Sequence, residues 1–392
     1  MIDAHTSKIV VLHIHQDYPD STGFPATEAV RNLVRALELS HPQVQHFVIS
    51  INRSANPFKV KIEPFEDGLQ CVYWGLPLPW VYPWSLKRLS RALGPLLQDQ
   101  NIDIIHGHKL TTEGSIALWL SQSLQKPFII SIRGGSDKKN IERFPMHRKL
   151  FGQVFAKAKH VFWVTPWVKD IVEPILEHPI EQLSLFPNMC DIETLQPRSE
   201  RSASIRPIEF IVVSSFHQFV RKGVLELCHA LKLVRAQGID ARIIIYGGGS
   251  DHARQRLVNA LSKLDLGPAV TLAGSVSQAE IRHALRASYG LLMPSLNETF
   301  GMTYVEALSV HCPIMYMANT GIDGYLTDHA VGVRMTSQST TELSEGICYM
   351  IAHQRQLKEN VKKMAQDGTL AQFQAPALVE KYMRVIEPLV AP

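Results

Sequence analysis

Short apolar runs alternate with segments of helical spacing along most of the chain. Residues 8–15 form a run apolar enough for a buried parallel strand, and residues 23–39 then carry apolar side chains at helical spacing. The predicted strands are 8–15, 47–51, 102–106, 128–132, 160–164, 208–214, 241–246 and 270–273, and the predicted helices are 23–39, 113–124, 167–176, 223–237 and 252–264. Strands that alternate with helices favour right-handed crossovers and a parallel sheet.

A polar stretch between two prolines, residues 197–207, interrupts this alternation, which restarts after it. We therefore predict two doubly wound, Rossmann-like α/β domains, one over residues 1–200 and one over residues 201–375. A last helical segment, residues 376–392, follows a break at Gly368 and Pro376. We expect it to pack back on the first domain.

Composition and charge narrow the class of protein. The chain has 392 residues, of which 45% are hydrophobic and 19% charged, as in an ordinary globular enzyme. A net charge of +4 is too small for a dedicated nucleic-acid binder, so no nucleic-acid partner is expected. The five scattered cysteines form no CxxC pair and are expected to be reduced. Without a signal-peptide pattern or a long apolar run, we expect a cytoplasmic protein, with the inner face of the cell membrane as an alternative.

The densest candidate site is the segment 293–308, where a predicted strand end, a loop and a helix start follow one another. Glu298 and Glu306 have seven residues between them. Gly301 permits close approach to the backbone, and the N–H groups of residues 300–302 would face an anion at the positive end of the helix dipole. Glu306 could reach back to the hydroxyls of a ribose. The competing interpretation is that Glu298 caps the helix and Glu306 is solvated.

Two other loops have the composition of a ligand site. Arg221 and Lys222 stand before Gly223, between a strand and a helix, where two cations could neutralise a departing diphosphate. Gly247 and Gly248 follow the strand 241–246 and would offer bare backbone to a base or a ribose. Isolated Arg-Lys pairs are mostly surface charges, and a triple glycine is a weak signal by itself.

Together these segments resemble glycosyltransferase family 4, the retaining transferases with the GT-B fold. The resemblance covers most of the chain and is clearest in the second predicted domain. The segments that carry it are 103–108, 126–137, 186–191, 246–249, 270–276 and 293–301.

The resemblance implies two Rossmann-like domains that face each other across a cleft. It also implies a nucleotide diphosphate sugar as donor, a glycan or lipid-linked acceptor, and retention of configuration, in the setting of cell-surface polysaccharide or glycolipid assembly. The implied catalytic residues are Glu298, Lys222, Arg221 and His108. The implied donor-binding residues are Gly23, Gly247, Gly248, Thr299, Phe300, Gly301 and Glu306. Arg133 and Asp137 are the implied acceptor-side residues.

Three positions depart from the family pattern. Ser214 and Ser215 stand where members usually have Gly-Arg, so one phosphate-binding cation is missing unless Arg221 substitutes. Arg133 replaces a histidine of many relatives, and residues 189–190 replace Gly-Val. Two alternatives to transfer therefore stay open, namely a GT-B protein that binds its nucleotide sugar without transfer and a nucleotide-sugar epimerase.

Two histidines close to the end of a predicted strand are candidates for the chemistry. We expect His106 and His108 to face opposite sides, so that at most one lines the cleft, with His108 nearer the strand's end. The alternative for His108 is a hydrogen-bonded loop histidine. The seventeen histidines show no HExxH spacing, so no cofactor and no catalytic metal are expected.

An aromatic cluster lies in a proline-rich segment before the basic helical segment 86–97; its members are Trp74, Trp80, Tyr82 and Trp84. Residues 126–169 add ten Lys or Arg against two acidic residues. Aromatic residues beside a basic amphipathic helix are typical of a peripheral anchor on an anionic membrane. The alternative is core packing with a solvated basic face.

Overall fold

The structure is a computed structural model, and it describes residues 8–24, 26–176, 182–192, 208–326 and 329–390. These residues form two compact units, which divide at Met189 and Cys190 and again at Gln374 and Ala375. Unit 1 holds the residues before the first division together with those after the second, and unit 2 holds the residues between them. The sequence-based boundary was drawn at residue 200, inside a polar stretch that lies outside the described residues.

Unit 1 is built on an eight-stranded sheet, over the residues described, in which every neighbouring pair is parallel except β3 and β4. Its strands are β1 Ile9–His15, β2 Val44–Ser54, β3 Lys61–Phe65, β4 Gly68–Trp74, β5 Ile104–Gly107, β6 Phe128–Ile132, β7 Val161–Trp163 and β8 Leu183–Leu185. The helices between them are α1 Ala29–Ser40, α2 Val81–Leu97, α3 Thr112–Leu124, α4 Gly135–Arg143, α5 Arg148–Lys157 and α6 Pro166–Leu176. The strand order is β3-β4-β2-β1-β5-β6-β7-β8.

Unit 2 is built on a parallel sheet of six strands, again over the described residues. Its strands are β9 Ile208–Val213, β10 Ala241–Tyr246, β11 Val270–Gly274, β12 Gly290–Leu292, β13 Ile314–Met317 and β14 Gly332–Met335. Its helices are α7 Val224–Ala236, α8 Asp251–Ser262, α9 Gln278–Ala287, α10 Met302–Ser309, α11 Thr340–Ala352 and α12 Gln354–Gln366. The order β11-β10-β9-β12-β13-β14 reverses direction between β9 and β12, as in a doubly wound Rossmann-like domain.

The last helix, α13 (Ala375–Val390), belongs to unit 1 although it follows unit 2 in the chain. Its buried face packs on one side of the unit 1 sheet, together with α1. The contact is mostly apolar, with the Tyr382 hydroxyl hydrogen-bonded to His106 and Nζ of Lys381 donating to the carbonyl of Leu185. The helix therefore completes a core that the first part of the chain leaves open.

The start of α1 differs from the prediction. The spacing predicts a helix from residue 23, but α1 begins at Ala29. Gly23 has a φ of +77°, and the N–H of Thr27 donates to the carbonyl of Asp17 at 2.8 Å. The hydrogen bond of Thr27 ties the residue before the helix start to the end of β1, and the helix begins only after it.

Candidate functional site

Two charged loops meet at the carboxyl edge of the unit 2 sheet, where the strand order reverses. Lys222 and Arg221 lie in the loop after β9, and Glu298 lies in the loop after β12. The Nζ of Lys222 is 2.5 Å from Oε2 of Glu298, and Nη1 of Arg221 is 3.7 Å from the same oxygen. Two cations thus share one carboxylate, which leaves an excess of positive charge at the switch point of the sheet.

The loop that carries Glu298 is held by its backbone. The carbonyl of Glu298 accepts hydrogen bonds from Oγ1 of Thr320 and from the N–H of Gly321, both at 2.9 Å. Nη1 of Arg221 donates to the carbonyl of Asn297 at 3.2 Å. The carboxylate therefore stands on a fixed loop rather than on a free one.

Helix α10 begins directly after this loop with an open N-terminus. Gly301 has a φ of +76°, and a Cβ there would lie 2.5 Å from the ring of Tyr304, so the position requires glycine. The buried ring of Phe300 anchors the turn against other aromatic rings. The N–H groups of residues 300–302 have no hydrogen-bond acceptor in the part of the chain that the structure describes. These donors and the helix dipole suit an anion.

Two other predicted donor-binding residues, Thr299 before the helix start and Glu306 after it, are partly buried. Thr299 is half-buried beside Glu298. Glu306 lies one turn into α10, where burial raises its pKa, with Arg282 opposing the shift and Asp191 adding to it. Its expected contact with a ribose stays a prediction.

The glycines after β10 let three loops pack backbone against backbone. Gly247 has a φ of +144°, and a Cβ there would lie 2.0 Å from the carbonyl oxygen of Ser214. A Cβ on Gly248 would lie 2.4 Å from Oγ of Ser275. Tight packing explains why both positions are glycine, and their predicted contact with the donor stays a prediction.

His106 on β5 and His108 just after it do not face opposite sides, so that prediction is wrong. The ring centroids of His106 and His108 are 3.8 Å apart. Residues two apart on a strand project from the same face, because the side-chain period of a strand is two. The two imidazoles therefore lie side by side in the interior of unit 1.

A chain of hydrogen-bonded imidazoles surrounds these two residues, and the sequence reasoning missed it. Nδ1 of His13 lies 2.9 Å from Nε2 of His108, and Nε2 of His13 lies 2.9 Å from Nδ1 of His46. Nε2 of His106 is 2.8 Å from Oγ of Ser131. Burial lowers the pKa of each of these histidines, so the imidazoles are neutral at pH 7. The His-x-His pattern, present on β1 and again at the end of β5, was the available signal.

Three of these imidazoles have the proximity of a metal site. One ring nitrogen each from His13, His106 and His108 lies within 4.8 Å of the others. Yet His13 is bonded to neighbouring histidines through both nitrogens, and His106 is bonded to Ser131 and Tyr382. The geometry is that of a hydrogen-bonded core. The expectation of catalysis without a metal stays a prediction.

Buried charges line the carboxyl ends of β1 and β5. Nζ of Lys109 lies 2.8 Å from Asp17 and 3.5 Å from Glu113. Although burial opposes it, the ammonium of Lys109 holds the pKa of Glu113 at about 2. Burial lowers the pKa of His15 to about 4, so this imidazole, 3.6 Å from Glu113, is neutral at pH 7.

The two predicted acceptor-side residues are close together at the end of β6. Nη1 of Arg133 donates to Oδ1 of Asn188 at 2.7 Å. Asp137 is fully buried and accepts hydrogen bonds from the N–H and the hydroxyl of Thr111, both at 3.1 Å. Burial, and then the charge of Glu113, raise the pKa of Asp137 to about 6. Asp137 thus joins the turns after β5 and β6, while Arg133 as a whole residue is half-buried.

Two other predicted features lie elsewhere in unit 1. Gly23 is exposed in the segment between β1 and α1, and its role toward donor phosphates stays a prediction. The aromatic cluster divides: Tyr82 is buried on Phe144, whereas Trp80 and Trp84 are 85% and 52% exposed. Core packing and an exposed apolar surface are therefore both present. In the described residues, every helix is too short or too polar to cross a bilayer.

Comparison with known proteins gives matches over both units. A family model described as Glycosyltransferase Family 4 matches residues 26–194, and one described as Glycosyl transferases group 1 matches residues 198–368. The phosphatidylinositol N-acetylglucosaminyltransferase gpi3 subunit of Schizosaccharomyces pombe is 24% identical over 311 residues. The alignment covers 77% of this chain and 64% of that protein, so the chain spans less than two thirds of this relative.

Solved structures resemble the chain over nearly its whole length. Sucrose-phosphate synthase from Thermosynechococcus elongatus aligns with a TM-score of 0.72 and 16% identity, covering 97% of this chain and 99% of that one. Anabaena HepE in complex with UDP-glucose aligns with a TM-score of 0.65 and 15% identity, covering 97% and 100%. The two family models, which together span residues 26–368 apart from a short gap, show that the chain is of the glycosyltransferase family 4 type, and the two doubly wound domains and the solved structures show the GT-B fold.

Proposed function

We propose that this enzyme moves a sugar from a nucleotide diphosphate sugar to a hydroxyl of a glycan or lipid-linked acceptor, with retention of configuration. The observation that carries the proposal is the placement of Lys222 and Arg221 around Glu298, beside the open start of α10. HepE, solved with UDP-glucose, supports a donor of this class, and the name of the gpi3 subunit supports a lipid acceptor.

The charges at this site suit a departing diphosphate. The bond between the anomeric carbon and the phosphate oxygen breaks, and the electron pair stays on the diphosphate. The acceptor hydroxyl attacks the same face and gives its proton to the departing group. Lys222, Arg221 and the amides of residues 300–302 stabilise the growing negative charge, because fixed donors cost little reorganisation during the reaction. Glu298 orients the hydroxyls of the sugar, and Glu306 those of the ribose.

In the proposed reaction, the diphosphate of the donor replaces Glu298 as the partner of Lys222. Without a donor, Glu298 holds the ammonium of Lys222 at 2.5 Å. A diphosphate beside α10 competes for this ammonium and leaves the carboxylate available to sugar hydroxyls. Cations and backbone amides supply the charge stabilisation in this scheme, so we propose that no metal is needed.

Substitutions at the ion pair test this proposal. We expect Lys222→Ala and Glu298→Gln to lower the release of nucleoside diphosphate by about 100-fold or more, since each removes a group that acts on the transition state. Arg242→Ala is the matched control, because Arg242 is a cation of unit 2 whose ion-pair partner, among the residues described, is the exposed Asp240. Turnover is measured over a panel of nucleotide sugars and acceptors, with and without EDTA, and NMR of the product gives its anomeric configuration.

The outcomes separate the proposal from its rivals. Melting temperatures close to that of the wild type show that the variants are folded. Wild-type turnover in either variant contradicts the assignment, and inhibition by EDTA contradicts catalysis without a metal. Donor that binds without release of nucleoside diphosphate favours a binding protein, and an isomerised donor favours an epimerase.

We also propose that unit 1 rests on an anionic membrane surface through an aromatic patch. The patch consists of Leu78, Trp80, Trp84 and Met146, each at least half exposed. His147 donates to the carbonyl of Pro79 at 2.6 Å, which links the segment of Met146 to that of Trp80. Arg88 lies 5.6 Å from the Trp84 ring. Exposed aromatic side chains flanked by cations suit a headgroup layer that holds a lipid acceptor.

A further inference from the structure

One face of the unit 1 sheet changes from apolar to polar toward its carboxyl edge. Residues two apart share a face, so each of the three central strands presents a short ladder of side chains on the side covered by α1 and α13. The ladders are Val11, His13 and His15 on β1; Ile104, His106 and His108 at β5; and Ile129, Ser131 and Arg133 at β6. The last members, His15, His108 and Arg133, are called here the outer row.

The middle histidines of these ladders have hydrogen-bond partners at both ring nitrogens, whereas several side-chain nitrogens of the outer row have none among the described residues. His13 and His106 have hydrogen-bond partners at both ring nitrogens. In contrast, both nitrogens of His15, Nδ1 of His108 and Nε of Arg133 are buried without a partner among the described residues. Buried polar atoms without partners are costly, so a cluster of them indicates a polar ligand.

The charge of the outer row favours an anion. The guanidinium of Arg133 has the neutral amide of Asn188 as its hydrogen-bond partner, and no carboxylate of the described residues lies within 4.0 Å of it. Among the nearby carboxylates, Asp17 pairs with Lys109 and Asp137 accepts from Thr111. Glu113 lies 3.5 Å from Nζ of Lys109 and 3.6 Å from Nδ1 of His15, so its charge is shared between that ammonium and one end of the outer row. A guanidinium at the same sheet edge as two imidazoles that can donate N–H bonds suits the oxygens of a phosphate or a carboxylate.

The backbone holds Arg133 in place. Its N–H points to Oδ2 of Asp137 at 3.4 Å. The next residue, Gly134, has a φ of +100°, and a Cβ there would lie 2.9 Å from the ring of Trp167. The site is therefore built into the turn after β6 rather than formed by a free surface side chain.

We propose that the outer row binds an anionic group of the acceptor, a phosphate or a carboxylate, and that Arg133 thereby selects acidic acceptors over neutral ones. This inference rests on the proposed transfer for its biological use, but the binding itself can be measured without turnover. Phosphate and carboxylate share the oxygen geometry that the guanidinium recognises, and the choice of probe distinguishes them.

Binding of small probes by calorimetry tests the proposal. The probes are glycerol 1-phosphate, methyl glucuronide and, as the neutral reference, methyl glucoside. We expect wild-type protein to bind at least one acidic probe and Arg133→Gln to bind it roughly 10- to 100-fold more weakly, the effect of losing a charge-assisted hydrogen bond. Arg133→Lys should retain part of the affinity. Arg35→Gln, at an exposed arginine of α1, should change nothing.

The result also identifies the chemistry of the group. Preference for glycerol 1-phosphate supports a phosphorylated acceptor, and preference for methyl glucuronide supports an acidic sugar. Equal binding by Arg133→Gln and wild type overturns the proposal, as does equal affinity for the neutral probe. Loss of probe binding in Lys222→Ala but not in Arg133→Gln also overturns it, because the probe then occupies unit 2. A wild type that binds the probe yet turns over no donor refutes the transfer and leaves the anion site standing.

Discussion

Gly247 shows how one backbone position controls the geometry of the unit 2 edge. The loops after β9 and β10 touch through their backbones there, because a Cβ on Gly247 would lie 2.0 Å from the carbonyl oxygen of Ser214. The loop after β9 also carries Arg221 and Lys222. A side chain at position 247 must therefore move the segment that supplies the cations of the site.

Substitution of this glycine gives a prediction at the residue scale. Gly247→Ala should lower the free energy of unfolding by about 3 kcal/mol or more, since it adds a backbone clash to an unfavourable φ. Gly238→Ala is the matched control: Gly238 has a φ of +84° but open space around its Cβ, so about 1 kcal/mol is expected. Urea unfolding compares the two, and equal losses would show that the clash is absent.

Asp137 gives a second prediction at this scale, concerning pH. Its pKa is raised by burial to about 6 from an ordinary value of 3.8, so the native state holds this proton more tightly than the unfolded chain. Its contribution to stability is full below about pH 4 and is lost as the pH rises to about 6. Asp137→Asn keeps an acceptor for Thr111 but cannot ionise. The stability of this variant relative to the wild type should therefore improve between pH 4 and pH 7.

Urea unfolding at several pH values measures this difference. Asp99→Asn, at an exposed acid of unit 1, is the matched control for the removal of one acidic group. A stability difference between Asp137→Asn and wild type that stays constant over this range would contradict the shifted pKa.

At the scale of elements, α13 is the clearest case of a helix whose place depends on distant residues. Its side chains Leu378, Val379, Tyr382, Met383 and Ile386 are buried with residues of β1, α1 and β7. Tyr382 adds the hydroxyl that bonds Nδ1 of His106 at 3.1 Å. The helix thus closes the apolar face of unit 1 and also satisfies the end of its histidine chain.

Removing the hydroxyl of Tyr382 tests how much this contact of α13 contributes to stability. Tyr382→Phe leaves a buried nitrogen of His106 without its partner, so we expect a loss of about 1–3 kcal/mol in the free energy of unfolding. Tyr349→Phe, at a 46% exposed tyrosine of unit 2, should change stability by less than about 0.5 kcal/mol. Denaturant unfolding compares the variants, and equal stability for Tyr382→Phe and wild type would show that the bond contributes nothing.

Elements at the edge of a sheet were the hardest to predict. The strands at 128–132 and 241–246 are observed with the predicted bounds, since they are apolar and lie inside their sheets. The hairpin of β3 and β4 was missed: β3 is an edge strand of five residues with none of them buried, so its apolar pattern is weak. The pattern is clear only where both faces of a strand are covered.

At the scale of the whole molecule, the proposed contact of unit 1 with an anionic membrane can be tested on lipid vesicles. The double variant Trp80→Ala with Trp84→Ala should bind vesicles that contain phosphatidylglycerol about tenfold more weakly or worse, because two large apolar side chains no longer enter the headgroup layer. Neutral phosphatidylcholine vesicles should bind wild type weakly. Tyr349→Ala is the control. Cosedimentation measures both, and unchanged binding by the double variant contradicts the anchor.

Local sequence patterns were sufficient to predict the class of fold and the main parts of the proposed donor site. Apolar runs and helical spacing are local properties, so they indicated two doubly wound domains. The cations at 221 and 222 and the glutamate at 298 stood out because they are attached to loops at predicted strand ends. Motifs of this kind can be recognised from the sequence alone, because they consist of residues that are neighbours in the chain.

Which of these groups touch, and which other groups join them, depends on how distant segments pack together. The ion pair of Lys222 with Glu298 joins loops 76 residues apart, and the contact of His13 with His108 spans 95 residues. These pairings follow from the strand order of each sheet, which brings the carboxyl ends of distant strands to one edge. The burial that makes the imidazoles neutral, and that leaves Arg133 beside a neutral amide, is likewise a property of packing and not of local sequence.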